Sequence, residues 1–300
     1  MATFFGEVMS VFSRAVEEDD EDEEEEEEDE EEDKEIKKEL EKKREVVVSW
    51  SPATVTSIQS SPDQKLPCRN LILAIGANAA AFASSHILSS GDWELAGSIR
   101  LWNERCRDSS NASLPAPPSC TFYWSTTKQV LVCQCTCHVA EDQLFQWCEK
   151  ASGKDHMVAV YEMAVFSSLQ KNGLTVTVLS TCPVAEYKTT ESTYDLPVPF
   201  LKALKTKTYT ERTPCTLMEQ PNIVDGLPAA VLTYCQIWEI PAVLYQCYTD
   251  ITKLDSVTIE AFCPLLSCPN MRCLAADSTD IKEILKKMVK DSEIQSNLYI

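Results

Sequence analysis

The densest group of reactive side chains in this chain is CQCTCH, which brings Cys133, Cys135, Cys137 and His138 into one short stretch. Thiolates and imidazoles bind zinc and related ions, but two thiols that converge on one tetrahedral ion generally come from a C-x-x-C turn. Here the cysteines alternate. On a strand, that spacing sends Leu131, Cys133, Cys135, Cys137 and Val139 to one face and His138 to the other. The expected role is a core face lined with small side chains, with no metal held. Cys263, Cys268 and Cys273 recur every five residues and offer no paired spacing that would complete a site.

Nucleophilic and phosphate chemistry fare no better. The three histidines, His86, His138 and His156, form no nucleophile, base and orienter set by spacing. Cys137 with His86 is the one conceivable cysteine-hydrolase pair, and it is disfavoured. Gly76-Ala77-Asn78 stands where a phosphate loop would follow a first strand, but it lacks the further glycines and the lysine such loops need. Seven glycines in 300 residues leave little material for tight active-site loops. No catalytic, cofactor-binding or metal-binding residue is assigned. An α/β enzyme with its pocket at the carboxyl ends of the strands, near Gly76, stays as a weaker alternative.

The elements that would position these residues alternate between strand and helix. LILAIG (71–76) is a continuous apolar run closed by glycine, which predicts a strand buried on both faces, and the Ala-rich ANAAAFASSHIL that follows predicts a helix. FYWSTTKQVLVCQCTCHV predicts a hairpin. VVVSW, LTVTVLS (174–180) and PAVLYQCYT (241–249) predict further strands, the last being the final one expected. LPAAVLTYCQIW predicts a helix capped by Asp225 or Gly226, with Pro228 where an early proline costs no hydrogen bond. Ile281, Ile284, Leu285 and Met288 recur at helical spacing, with lysines 282, 286, 287 and 290 towards water. The proline-rich NASLPAPPS (111–119) is expected to be a surface loop, and residues 151–172 fit the plan least well. The fold class is α/β: one layered α/β/α domain around a central mixed sheet over residues 46–290. An acidic, largely disordered segment (1–45) precedes it and a flexible tail (291–300) follows.

Charge is concentrated. Of 47 acidic residues, 17 form the unbroken run 17–33, and the 30 elsewhere nearly balance 27 basic ones, so most of the net charge of −20 belongs to that run. Such a run repels itself and buries no apolar surface. It also rules against a nucleic-acid-binding surface, since phosphates are repelled. A polyanion can still attract basic proteins, which leaves a histone-type chaperone as a second alternative. The mixed-charge DKEIKKELEKKR predicts a helix from about Asp33 to Arg44. MATFFGEVMSVFSRAV lacks the basic start and apolar stretch of an export signal, and no run approaches membrane-spanning length. The 14 cysteines are accordingly expected as reduced, mostly buried thiols in a soluble intracellular protein.

The chain ends DSEIQSNLYI, an aliphatic residue, a tyrosine and an isoleucine carboxylate on a polar leash. A free carboxylate can pair with a buried lysine and accept backbone hydrogen bonds, while Tyr299 and Leu298 add apolar area. Ten extended residues span about 30 Å, enough to reach a pocket on a neighbouring protein. The ending also fits the apolar-any-apolar ligand of a PDZ domain.

Long blocks of the chain resemble the proteasome assembly chaperone 1 family. They include AIGANAAAFASS, LWNERCR, VLVCQCTCHVAEDQLFQW, EYKTTEST, PFLKALKT, EQPNIVDGLPAAVLTYCQIWEIPAVLYQCYTDITKLD and EILKKMVKDSEIQSNLYI. The resemblance implies an α/β fold and a chaperone without enzymatic activity or cofactor. It also implies a heterodimer with proteasome assembly chaperone 2 that assists formation of the proteasome α-subunit ring and discourages aberrant ring dimers. The family's C-terminal hydrophobic-Tyr-any motif falls on Leu298, Tyr299 and Ile300, whose implied role is to enter a pocket between α subunits. The implied location is the cytoplasm and, in part, the endoplasmic reticulum.

Overall fold

The computed structural model describes residues 33–36, 46–101, 120–148, 165–189, 196–251, 253–275 and 281–297. The chain divides into two units, Met1–Arg44 and Glu45–Ile300. In the first, residues 33–36 are helical, at the start of the helix expected there. The rest of that helix, the acidic residues 17–32 and the proline-rich stretch 111–119 lie outside the described residues.

The second unit is built on an eight-stranded sheet in the order β1-β3-β4-β5-β2-β6-β8-β7. The strands are β1 (Val47–Trp50), β2 (Asn70–Ile75), β3 (Glu94–Arg100), β4 (Cys120–Ser125), β5 (Val130–Cys135), β6 (Thr175–Pro183), β7 (Phe200–Lys205) and β8 (Ala242–Thr249). The four central strands β5, β2, β6 and β8 run parallel, and β7 and the β4-β3-β1 flank are antiparallel. Parallel strands are covered on both faces, and every residue of β8 is buried accordingly.

One face carries Leu71, Leu73, Leu131, Cys133, Cys135, Val176 and Val178. The helices α1 (Pro52–Ser60) and α4 (Gly226–Ile237) bring Ile58, Ala230 and Val231 to that core, and α3 (Leu144–Cys148) brings Trp147. The other face carries Ile72, Ala74, Val130, Val132, Val243 and Tyr245 under α2 (Ala77–Phe82), α5 (Ser256–Glu260), α6 (Pro269–Arg272) and α7 (Ile281–Asn297). This is the layered α/β/α arrangement around a mixed sheet. Each fully buried Leu, Ile, Val or Phe contributes about 1.5–3 kcal/mol relative to exposure, and both faces are dense with them.

The structure corrects the element list at three places. β3 and β7 are strands that the sequence pattern does not announce. Gly97 interrupts β3, yet β1 passes so closely that a Cβ there would lie 2.6 Å from Ser49 O. FLKALK has helix-like spacing, but pairing with β8 overrides it. Third, α1 follows Ser51-Pro52, and Ser51 Oγ accepts from Thr54 N at 3.3 Å, a cap and an N-terminal proline that mark a helix start. Asp225, by contrast, precedes α4 in extended geometry without a side-chain capping bond, and Gly226 takes the turn with φ +61°. Of the segment 151–172, residues 165–172 are described, and Val165, Phe166 and Leu169 are buried in the first core. Residues 151–164 are outside the described set.

Candidate functional site

Three places merit building up from their residues: the C-terminal helix, the crevice at the strand ends, and the cysteines of β4 and β5. α7 buries Leu285 and packs Ile281 and Met288 on the second core, with Lys282, Lys286, Lys287 and Lys290 exposed. It continues to Asn297, seven residues past the expected end, since no glycine or proline stops it. At a helical rise of about 1.5 Å per residue, 291–297 reach roughly 10 Å rather than the extended length. The motif residues Leu298, Tyr299 and Ile300 lie outside the described residues.

Where β2, β6 and β8 end, they open onto a crevice of about 380 Å³, at the carboxyl edge where α/β folds place ligands. Its wall includes Cys137, His138, Cys182, Gln246 and the carboxylates Glu141, Glu186 and Asp225, with no lysine or arginine among the described residues, a charge balance that disfavours phosphate. The Cys182 thiol donates to Glu186 Oε2 at 3.0 Å. Burial and this carboxylate push it up to about 12, far from a thiolate nucleophile. Gln246 Oε1 is buried without a hydrogen-bond partner, an acceptor facing the crevice.

The turn after β2 is closed to phosphate. Asn78 Nδ2 donates to Lys253 O at 3.1 Å and its Oδ1 accepts from Asp255 N at 2.8 Å, so the turn is tied to the loop before α5. His86 and Cys137 are on opposite faces of the sheet: His86 stacks on Phe82 of the second core, whereas Cys137 packs on the first. The cysteine-hydrolase pair is thereby ruled out. Ser85 Oγ donates to Ala81 O at 2.7 Å, so His86 Nδ1 donates to Ser85 Oγ at 2.8 Å and Nε2 accepts from the Cys263 thiol 3.5 Å away. Burial lowers its pKa, partly offset by Phe82 O and Glu260. It is a structural histidine.

Leu131, Cys133, Cys135, Cys137 and Val139 all belong to the first core, as alternation predicts. The addition is Cys120, the cross-strand partner of Cys135. The Sγ atoms of Cys120, Cys135 and Cys137 lie within 4.8 Å of one another, and Cys135 Sγ donates to Cys137 O at 3.6 Å. The neighbouring thiols, Cys133 first, lower the pKa of Cys120 against the opposing effect of its burial. Burial raises Cys133, and the pairing with Cys120 raises Cys135.

A family model described as Proteasome assembly chaperone 4 matches residues 1–300. Proteasome assembly chaperone 1 of Xenopus tropicalis is 66% identical over 303 residues, covering 100% of both chains. The Homo sapiens protein of that name is 46% identical over 300 residues, 99% of each. The chain belongs to the proteasome assembly chaperone 1 family. The number in the family model's description differs, but full-length identity to proteins of one name decides it. The fold agrees: Pyrococcus furiosus PbaA, described as an archaeal homolog of proteasome-assembly chaperone, superposes with a TM-score of 0.50 at 10% identity, over 85% of this chain and 100% of that one. A Thermoplasma acidophilum protein of unknown function superposes at 0.52 and 10% identity, over 83% and 96%.

Proteasome assembly chaperone 1 proteins are chaperones and not enzymes. Among the described residues, no helix is long and apolar enough to cross a membrane. The sequence reading missed one feature of this family member, the convergence of Cys120 with Cys135 and Cys137. The signal was available in the hairpin register, because strands joined by the TTKQ turn bring Cys120 opposite Cys135.

Proposed function

We propose that this chain pairs with proteasome assembly chaperone 2 and that the heterodimer assists assembly of the proteasome α-subunit ring, discourages aberrant ring dimers, and leaves as the core particle matures. The observation that carries this is end-to-end identity of 66% with a protein named proteasome assembly chaperone 1. Proteasome subunits are then the partners, and the cytoplasm, with part of the protein at the endoplasmic reticulum, is the place of action. No nucleotide or covalent step is needed, because binding free energy drives the work and a change in the ring that weakens the contact drives release.

Docking uses the ending. Leu298 and Tyr299 fill an apolar pocket between adjacent α subunits, and the Ile300 carboxylate meets a pocket lysine, an ion pair that strengthens as water leaves. The domain, residues 46–290, contributes a second contact, and the two linked contacts multiply in affinity. α7 supports this arrangement: anchored by Leu285 and helical to Asn297, it presents the last residues on a stem that loses less entropy on docking than an extended leash.

The test is binding of purified α ring or core particle by the chain co-expressed with its partner, intact and without residues 298–300. Truncation is expected to weaken binding at least about tenfold while the heterodimer survives. Equal binding would discard the docking tail and keep the chaperone; no binding by either form would overturn the chaperone reading.

A further inference from the structure

The cysteine cluster goes beyond core filling. Cys120 opens β4, Cys135 closes β5 opposite it, and Cys137 sits two residues past the strand end, half-buried, on the wall of the crevice. Three sulfurs from two strands and a loop therefore meet within 4.8 Å at the carboxyl edge of the sheet. A metal–sulfur bond of about 2.3 Å places thiolates on one ion about 3.8–4.0 Å apart. Bringing these sulfurs into that range takes a contraction of under about 1 Å, within reach of small χ1 rotations. No disulfide joins the cysteines of the described residues.

The surroundings favour ligand chemistry over inert packing. The indole N–H of Trp147, fully buried in the same core as Cys120, has no hydrogen-bond partner. Metal-bound sulfur accepts such hydrogen bonds, and outer donors of this kind tune ligand strength. All three ligand atoms are sulfur, which selects soft cations over magnesium or calcium. Cys137 gives an ion a route from solvent through the crevice.

We propose that Cys120, Cys135 and Cys137 form a three-thiolate site for a thiophilic d10 cation, Cu+ or Zn2+, that ties the end of the β4–β5 ladder to the loop after it. Binding replaces the three thiol protons with three metal–sulfur bonds and releases up to three protons, so affinity rises with pH. Cu+ is satisfied by three sulfurs, whereas Zn2+ takes a fourth ligand, water from the crevice.

The experiment uses the full chain, reduced and freed of metal by a chelator, titrated separately with Zn2+ and Cu+ against a chromophoric competitor. One ion per chain is expected for at least one metal, with proton release and a higher Tm. Tight binding of Cu+ alone marks a closed three-coordinate site; binding of Zn2+ as well marks an open fourth position. Cys137→Ser, outside the strand ladder, is expected to weaken binding at least about tenfold. Cys135→Ser does the same where it folds, and the exposed Cys273→Ser leaves affinity unchanged. Failure of the native chain to bind either ion stoichiometrically, or unchanged affinity in Cys137→Ser, overturns the proposal. Neither result touches α-ring binding, which is measured without metal.

Discussion

His86 shows what burial does to a single titratable group. Its ring lies between Ser85 and Cys263 with Phe82 stacked on it, and burial lowers its pKa. Above about pH 6.5, its unfolded value, both states are neutral. As pH falls below that, the unfolded chain takes up a proton that the folded chain does not, and stability declines until the lower folded value is passed. Replacing His86 with Asn is expected to flatten this part of the profile, measured as unfolding free energy in urea between pH 5 and 7. Parallel profiles for the two proteins would show that His86 is not the cause. Nothing in the sequence separates this histidine from a catalytic base, since its neighbours come from the π-helical turn Ala83–Ile87 and from Cys263, far along the chain.

Two elements carry sharper consequences. β3 accepts Gly97 because β1 passes over it: an added Cβ would meet Ser49 O at 2.6 Å and Trp50 Cε3 at 2.9 Å. The backbone oxygen belongs to the β1–β3 ladder and cannot move freely, so Gly97→Ala should destabilise the domain by about 1–3 kcal/mol in denaturant unfolding. A neutral result would mean that β1 can shift at small cost. α7 rests on the second core through Leu285, with Ile281 and Met288 beside it. Leu285→Ala removes about 2–5 kcal/mol of packing at a fully buried site, and the loss should fall on α7 itself. The expected outcome is rapid proteolysis after lysines 282–290 with the sheet intact, and weaker α-ring binding; global unfolding at the same denaturant concentration as α7 release would instead show one cooperative unit.

For the whole molecule, position at the chain end and charge at the opposite end make separate predictions. On the proposed docking, adding one residue after Ile300 would move the carboxylate away from the pocket lysine, so α-ring binding should weaken about as much as on truncation; an apolar-tail mechanism predicts little change, and the binding assay with the extended chain decides. Deleting residues 17–33 removes the polyanion that gives the chain most of its net charge of −20. That deletion should leave ring binding intact while abolishing any salt-sensitive association with basic proteins, which at 0.15 M salt is screened beyond about 8 Å. Loss of ring binding on that deletion would assign the acidic run a part in docking.

The sequence by itself determined the α/β class, the central strands and the C-terminal helix face, because continuous apolar runs such as LILAI and the 3.6-residue spacing of Ile281, Leu285 and Met288 are local signals of burial. It also determined the family, through long blocks of identity. Tertiary structure alone decided that FLKALK is an edge strand on β8 and that Gly97 is where β1 passes closest. It alone put His86 and Cys137 on opposite faces of the sheet, and brought Cys137, past the strand end, to the Cys120–Cys135 pair. Local spacing reports which face a side chain takes, but strand order and register decide which distant side chains share that face.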